Sequence, residues 1–168
     1  GEEERHRVAL AKAGFATAVE PDIAAAKRRK LIANLRNVVD VFDASIEQAE
    51  RAEAALAAEA RAVFRAARLP IALPSLDGMG LQIGEVPGHT LGHLSTWQSF
   101  ARGTSNEVDF LSGEVVLIAR IVGVEAPLNE AVAHALGALA ARGGGPGEVP
   151  LPDEFEYDLF TRVEEMRA

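Results

Sequence analysis

The chain has 168 residues, 48% of them hydrophobic, with eight prolines and fifteen glycines, a balance that fits one soluble globular domain better than a disordered or fibrous chain. Its net charge of −8 argues against nucleic acid as a partner, because phosphate binding needs a concentrated cationic surface. Cysteine is absent, which excludes disulfides, thiolate catalysis and thiolate metal sites.

In chain order, residues 2 to 13 are charged and alanine-rich, with Val8 and Leu10 as apolar positions, and Gly14 suits the end of a first helix. The leading GEEERHR lacks the charged-then-apolar order of a signal peptide. No apolar stretch reaches membrane-spanning length, so the expectation is a cytoplasmic protein without a membrane partner. Phe15 to Glu20 alternates large and small residues and predicts a short strand, stopped by Pro21. A lone strand in a helical chain has nothing to pair with, which points to a sheet outside this chain or in a partner.

From Asp22 to about Asp43, Ile23, Leu31, Leu35, Val38, Val39 and Phe42 recur at helical spacing with no glycine or proline between them, predicting one long amphipathic helix. Ser45 and Gln48 form a capping-box pattern. The run that follows, to Arg68, carries Leu56, Ala60, Val63 and Phe64 as one stripe, and Ala54-Ala55-Leu56-Ala57-Ala58 leaves room for close helix approach. Pro70 to Thr90 is rich in proline and glycine and predicts a long loop, of the kind that covers a site or contacts a partner.

Leu91 to Arg102 predicts a helix closed by Gly103. A further helix from Asn106 or Glu107 carries Val108, Leu111, Val115, Ile118, Ala119 and Val122 before Gly123, and is expected at the buried centre of the bundle. Pro127 and Asn129 open another, through Val132, Leu136 and Leu139 to Arg142. The Gly143-Gly144-Gly145-Pro146-Gly147 run follows a helix instead of leading from a strand into one, so it predicts a flexible linker and not a phosphate loop. The tail from Asp153 predicts a last helix with Phe155, Leu159 and Phe160 facing the core.

One constellation stands out chemically. Lys30, Asn34 and Asn37 are spaced by four and three, and about 100° per residue sets them on one helix face. An ammonium beside two amides suits protonation of a developing alkoxide and binding of a carboxylate or hydroxyl, as reduction of a keto acid requires. The competing reading is a plain polar face, although asparagine in mid-helix is a poor helix former and wants a partner. The basic run Lys27-Arg28-Arg29-Lys30 is too short for a nucleic-acid arm and fits a solvated face.

A second cluster has Ser95 and Gln98 on one helix, with Glu107 and Asp109 at the start of the next, where the helix dipole favours carboxylates. Capping alone accounts for Glu107. His89 and His93 lie four apart with no third ligand of matching geometry, so no metal site is expected. Trp97 fits a core or interface anchor. No strand leads into a glycine-rich turn and helix, so a nucleotide site is not visible, and no nucleophile elbow is present.

Taken together, DIAAAKRRKLIANLRN and STWQSFARGTSNEVDFLSGEVV, the latter continued by ARIVGVEAPLNEAV, resemble the C-terminal domain of ketopantoate reductases (2-dehydropantoate 2-reductases) across roughly residues 14 to 140. The resemblance implies an all-α helical bundle like the 6-phosphogluconate dehydrogenase C-terminal domain. A short strand at its N-terminal end would be left from a Rossmann domain. Residues 1–20 are then the remnant of a nucleotide-binding domain and residues 21–168 a helical substrate-binding and dimerisation domain. It implies Lys30 as general acid, Glu107 as a catalytic contact to the substrate oxygen, and Asn34, Asn37 and Ser95 as substrate ligands. The reductant would be NADPH, held mainly by a domain this chain lacks. Expected partners are a small 2-keto acid and a second copy of the chain; the chain is expected to be either a fragment of a longer reductase or a half that works with a separate Rossmann-domain chain. Trp97 and Phe100 near the implied site depart from the stretch associated with pantoate producers, which leaves a larger or branched keto acid open. The alternative is a noncatalytic helical dimerisation or ligand-binding module without the cofactor half.

Overall fold

Helices follow the apolar periodicity nearly everywhere. A computed structural model describes residues 1–17, 19–72 and 92–156. Among these residues there are seven α-helices: α1 (Glu2–Lys12), α2 (Ile23–Asn34), α3 (Arg36–Val39), α4 (Ile46–Ala66), α5 (Ser95–Ala101), α6 (Ser112–Val122) and α7 (Pro127–Ala141). Two 3-10 turns, Val108–Phe110 and Asp153–Phe155, complete the set. The expected loop at 70–90 and the tail helix beyond Glu156 fall largely outside the described residues.

Three glutamates open α1 and a lysine closes it, complementing the helix dipole. Arg7 Nε donates to Glu4 Oε2 at 2.8 Å, and this bond holds the Glu4 carboxyl below its ordinary range. No side chain of α1 is buried. The strand expected at Phe15 to Glu20 does not form among the described residues, where no other strand lies alongside to pair with it. Thr17 Oγ1 donates instead to Arg7 O at 3.3 Å and folds the segment toward α1.

Asp22 caps α2 by accepting from Ala25 N at 2.9 Å. The single helix expected over 22–43 is interrupted at Leu35, where the bonding shifts partly to i−3, and α3 continues with Leu35 still in αR geometry. Ala72 N donates to Ala25 O and Arg28 Nε to Pro70 O at 2.6 Å, so the chain after α4 runs back along α2 and Arg28 is engaged there, not free in solvent.

The Ser45–Gln48 capping box is present in both directions. From it, α4 runs 21 residues and is the hub of the bundle, touching α2, α3, α6 and α7. Its buried stripe is Ala52, Leu56, Ala60, Val63 and Phe64. The small residues that admit close approach are Ala52 and Ala60, while Ala54 and Ala58 face solvent. Against this stripe pack Leu35, Val38, Val39, Val41 and Phe42 from the α2–α3 side, Val108, Leu111, Val115 and Ala119 around α6, and Leu128, Val132, Leu136 and Leu139 of α7.

The apolar segment at α6 is not wholly interior. Phe110, Leu117 and Ile121 are 76%, 53% and 73% exposed, and Val122, expected inward, is exposed as well. A helix packed on one side by α4 and α7 has room to bury only one face, and this sequence is apolar on both.

The glycine run after α7 is a built turn, not a linker. Gly143 adopts φ 68°, Gly143 N donates to Ala140 O and Gly144 N to Leu139 O, the pattern of a Schellman cap. Gly145 N then donates to Glu148 Oε1, Gly147 N to Val41 O at 2.8 Å and Asp43 N to Val149 O at 2.8 Å, which ties the turn to the end of α3. A Cβ at Gly144 would lie 2.3 Å from Leu139 Cδ1, whereas one at Gly137 on the exposed side of α7 would meet nothing within 4 Å. Gly144→Ala should therefore destabilise by about 1–3 kcal/mol through overpacking. Gly137→Ala should stabilise by about 0.5–1 kcal/mol through helix propensity. Paired urea titrations read both signs.

Candidate functional site

Backbone helicity through Leu35 preserves the phase of α2 into α3, so Lys30, Asn34 and Asn37 share one edge. Lys30 is exposed, and Asn34 and Asn37 are half-buried. The core side of this helix pair, with Ile32, Leu35, Val38 and Val39, is adjacent to that edge.

Ser95 is the first residue of α5, and Asn37 Nδ2 donates to its Oγ at 3.2 Å. Two segments 58 residues apart in sequence, each singled out for its polar residues, are thereby joined on the Lys30 edge. Glu107 is different. It is exposed at the start of the 3-10 turn, and among the described residues neither it nor Lys30 has an ion pair. The cap there comes from Asn106, whose Oδ1 accepts from Val108 N at 3.1 Å. No hydrogen bond links Glu107 to Lys30, Asn34, Asn37 or Ser95.

Sequence reasoning missed Asp40. Its Oδ2 accepts from Leu94 N at 2.7 Å and its Oδ1 lies 3.1 Å from His93 Nδ1. His93 in turn stacks on Trp97, ring centroids 3.9 Å apart and planes within 9°. Trp97 packs against the core from its other surroundings, as an anchor would. Asp40 follows Asn37 by three positions and so lies at helical spacing from it, a signal that was present but has no meaning until Leu94 is known to be near.

Two open clefts flank α2 and α3. One, about 430 Å³, lies between α2 and α4 and includes Arg29, Arg36, Glu53 and Arg61. The other, about 340 Å³, is lined by Arg36, Asp40, Glu53, His93 and Leu94 among others. Neither is lined by Lys30, Asn34, Asn37, Ser95 or Glu107.

Among the described residues no group of three or more His, Asp or Glu is placed to hold a metal ion. A dinucleotide does not fit the glycine run, because the N–H groups of Gly144, Gly145 and Gly147 already donate to Leu139 O, Glu148 Oε1 and Val41 O.

The sequence from Asp22, the cap of α2, to Ala140, near the end of α7, matches the family model of the ketopantoate reductase PanE/ApbA C terminal, residues 22–140. The chain belongs to that family. No curated protein and no solved structure matches it. The matched stretch runs from the cap of α2 to near the end of α7, and its secondary structure among the described residues is helical, while α1 lies before the match.

The Asn37–Ser95 bond ties α3 to α5, so a double-mutant cycle of Asn37→Ala and Ser95→Ala should give a coupling of about 0.5–1 kcal/mol in chemical denaturation. Strict additivity would show that the bond contributes nothing.

Proposed function

We propose that this chain is the substrate-binding half of an NADPH-dependent 2-keto acid reductase, acting on 2-dehydropantoate or a related branched keto acid. The observation that carries the reading is the Asn37–Ser95 hydrogen bond on the Lys30 edge, because it unites the two segments that bear the family's motifs. Asn34, Asn37 and Ser95 supply amide and hydroxyl groups for the substrate's carboxylate and hydroxyl. Lys30 holds the proton that goes to the carbonyl oxygen as negative charge builds there. Glu107 is assigned as the contact that orients the nascent hydroxyl, and on this reading it reaches the substrate without touching Lys30 beforehand.

The reductant is assigned to a Rossmann domain, as the family resemblance implies. Residues 1–20 are assigned to the border with that domain. Val8, Leu10, Phe15 and Val19 are exposed there, and covering them would remove apolar surface from water. Supplied with a Rossmann domain of this family, the chain should oxidise NADPH when 2-dehydropantoate is added. Lys30→Ala should lower kcat by about 10²–10⁴-fold with a smaller change in KM. Unchanged turnover in that variant removes Lys30 from the mechanism, and no oxidation with any keto acid favours a noncatalytic binding module.

The homodimer is assigned to the outer face of α6, where exposed Leu117 and Ile121 stand four apart on one stripe, together with Phe110, exposed in the 3-10 turn that precedes the helix. By contrast the outer face of α4 carries Glu47, Arg51, Arg61 and Arg65 and is polar. Ile121→Asp should convert a dimer to a monomer in light scattering, and a wild-type chain that is monomeric at about 100 μM, far above a nanomolar Kd, rejects this face.

A further inference from the structure

The start of α5 has an unusual construction. Its N-cap is Leu94, which has no side-chain oxygen to offer the helix, and the residue types that ordinarily cap, Ser, Thr, Asp or Asn, are absent from that position. The polar partner comes from another helix: Asp40, just past the end of α3, accepts the Leu94 N–H at 2.7 Å. In a capping box an acidic or amide side chain three residues on reaches back to the N-cap N–H, and here the same contact is made across the bundle. The second oxygen of Asp40 meets His93 Nδ1, His93 lies flat on Trp97 of the same short helix, and Gln98 Nε2 donates to His93 O at 2.7 Å. Residues 93–98 are thus drawn together around one carboxylate, three-quarters shielded from solvent.

One residue beyond Leu94 is Ser95, and three residues before Asp40 is Asn37. The two bonds, Asp40 to Leu94 and Asn37 to Ser95, run side by side between α3 and α5 and fix the approach of the two elements in both distance and rotation. We propose that Asp40 is a positioning residue for the substrate site: its carboxylate clamps the start of α5 to α3 and so places Ser95 on the edge of Lys30, Asn34 and Asn37. The proposal rests on the 2-keto acid reading for what Ser95 binds, but the clamp itself rests on geometry alone. A hydrogen bond to a charged group is stronger than the neutral Asn37–Ser95 bond beside it, so the clamp sets the position and the neutral bond follows.

The test uses the 168-residue chain with 2-dehydropantoate as the probe, in wild type, Asp40→Ala, Asp40→Asn and Asp40→Glu. In Asp40→Ala the Leu94 amide should exchange about tenfold faster or more, the Asn37 side-chain amide resonances should move, and affinity for the probe should fall about tenfold. Amides of Leu128 and Asn129, held by Glu59 at the far helix, should keep their protection. Asn at position 40 retains an acceptor for Leu94 N and should restore most of each loss, a rescue that a general packing defect would not show. Should the alanine variant fail to fold, Asp40→Glu keeps the charge but displaces the carboxylate by one methylene, and it should lose affinity in the same direction. Unchanged Asn37 resonances and unchanged affinity in the alanine or glutamate variant overturn the proposal. If the wild-type chain binds no probe, the 2-keto acid reading fails for that ligand, and the clamp is decided by the Leu94 and Asn37 signals.

Discussion

The bundle depends on carboxylates of one helix completing the start of another. Glu59, half-buried on α4, accepts from Leu128 N at 3.0 Å, Asn129 N at 2.8 Å and Asn129 Nδ2 at 2.7 Å. The helix that begins there, α7, has Ala126 at its N-cap and no side-chain cap of its own. Four N–H groups at a helix start lack partners, and burying them unpaired costs about 1–3 kcal/mol each. Glu59 satisfies two of them with a negative charge placed where the helix dipole favours it. Leu128 and Asn129 are buried, so α7 can enter the core only where this carboxylate meets it. That sets the register of Val132, Leu136 and Leu139 against the stripe of α4. Asp40 does the same for α5 on a smaller scale.

Such cross-helix caps explain which parts of the fold were legible in the sequence. The starts of the helices with their own signals, Asp22 for α2, Ser45 and Gln48 for α4, Pro127 for α7, fall within a residue or two of the expected positions, because cap and helix start are local to one another. The starts of α5 and α6 were misplaced, α5 by several residues, since its capping group is 54 positions away in sequence. Periodicity found the buried stripe of α4 and the inward face of α7, but it could not say that α6 has only one face covered: Ile121 and Leu117 are as apolar as Val115 and Ala119, and only the neighbours decide. The glycine run went the other way. Its composition looks like a linker, and the groups that pin it, Val41 O and Asp43 N, lie in a segment far from it in sequence.

The site was half legible for a related reason. Helical phase alone sets Lys30, Asn34 and Asn37 on one edge, and the structure keeps them there. That Ser95 joins Asn37 is a tertiary fact, which the motif order implied and the 3.2 Å bond expresses. Among the described residues no side-chain hydrogen bond or ion pair links Glu107 to these groups, and Asp40, which meets His93 and Leu94 just before α5, has its meaning only through that tertiary contact.

An exposed ammonium is a weak catalyst. Two unit charges about 4 Å apart interact by about 1 kcal/mol in bulk water and about 4 kcal/mol at the effective dielectric of a protein surface region, so an uncovered Lys30 could stabilise an alkoxide only slightly. On the proposed reading the edge must therefore be covered when it works, with water displaced and the donors already aimed. Among the described residues Lys30 is exposed, and the two clefts beside α2 and α3 are lined by other side chains. The uncovered apolar side chains Phe15 and Val19, which precede α2, ask for the same thing: a second body at the N-terminal end of this helix. A nucleotide-binding domain seated there would bury apolar surface and dry the Lys30 edge in one step, so that the stability of the joint and the acidity available to the substrate would rise together.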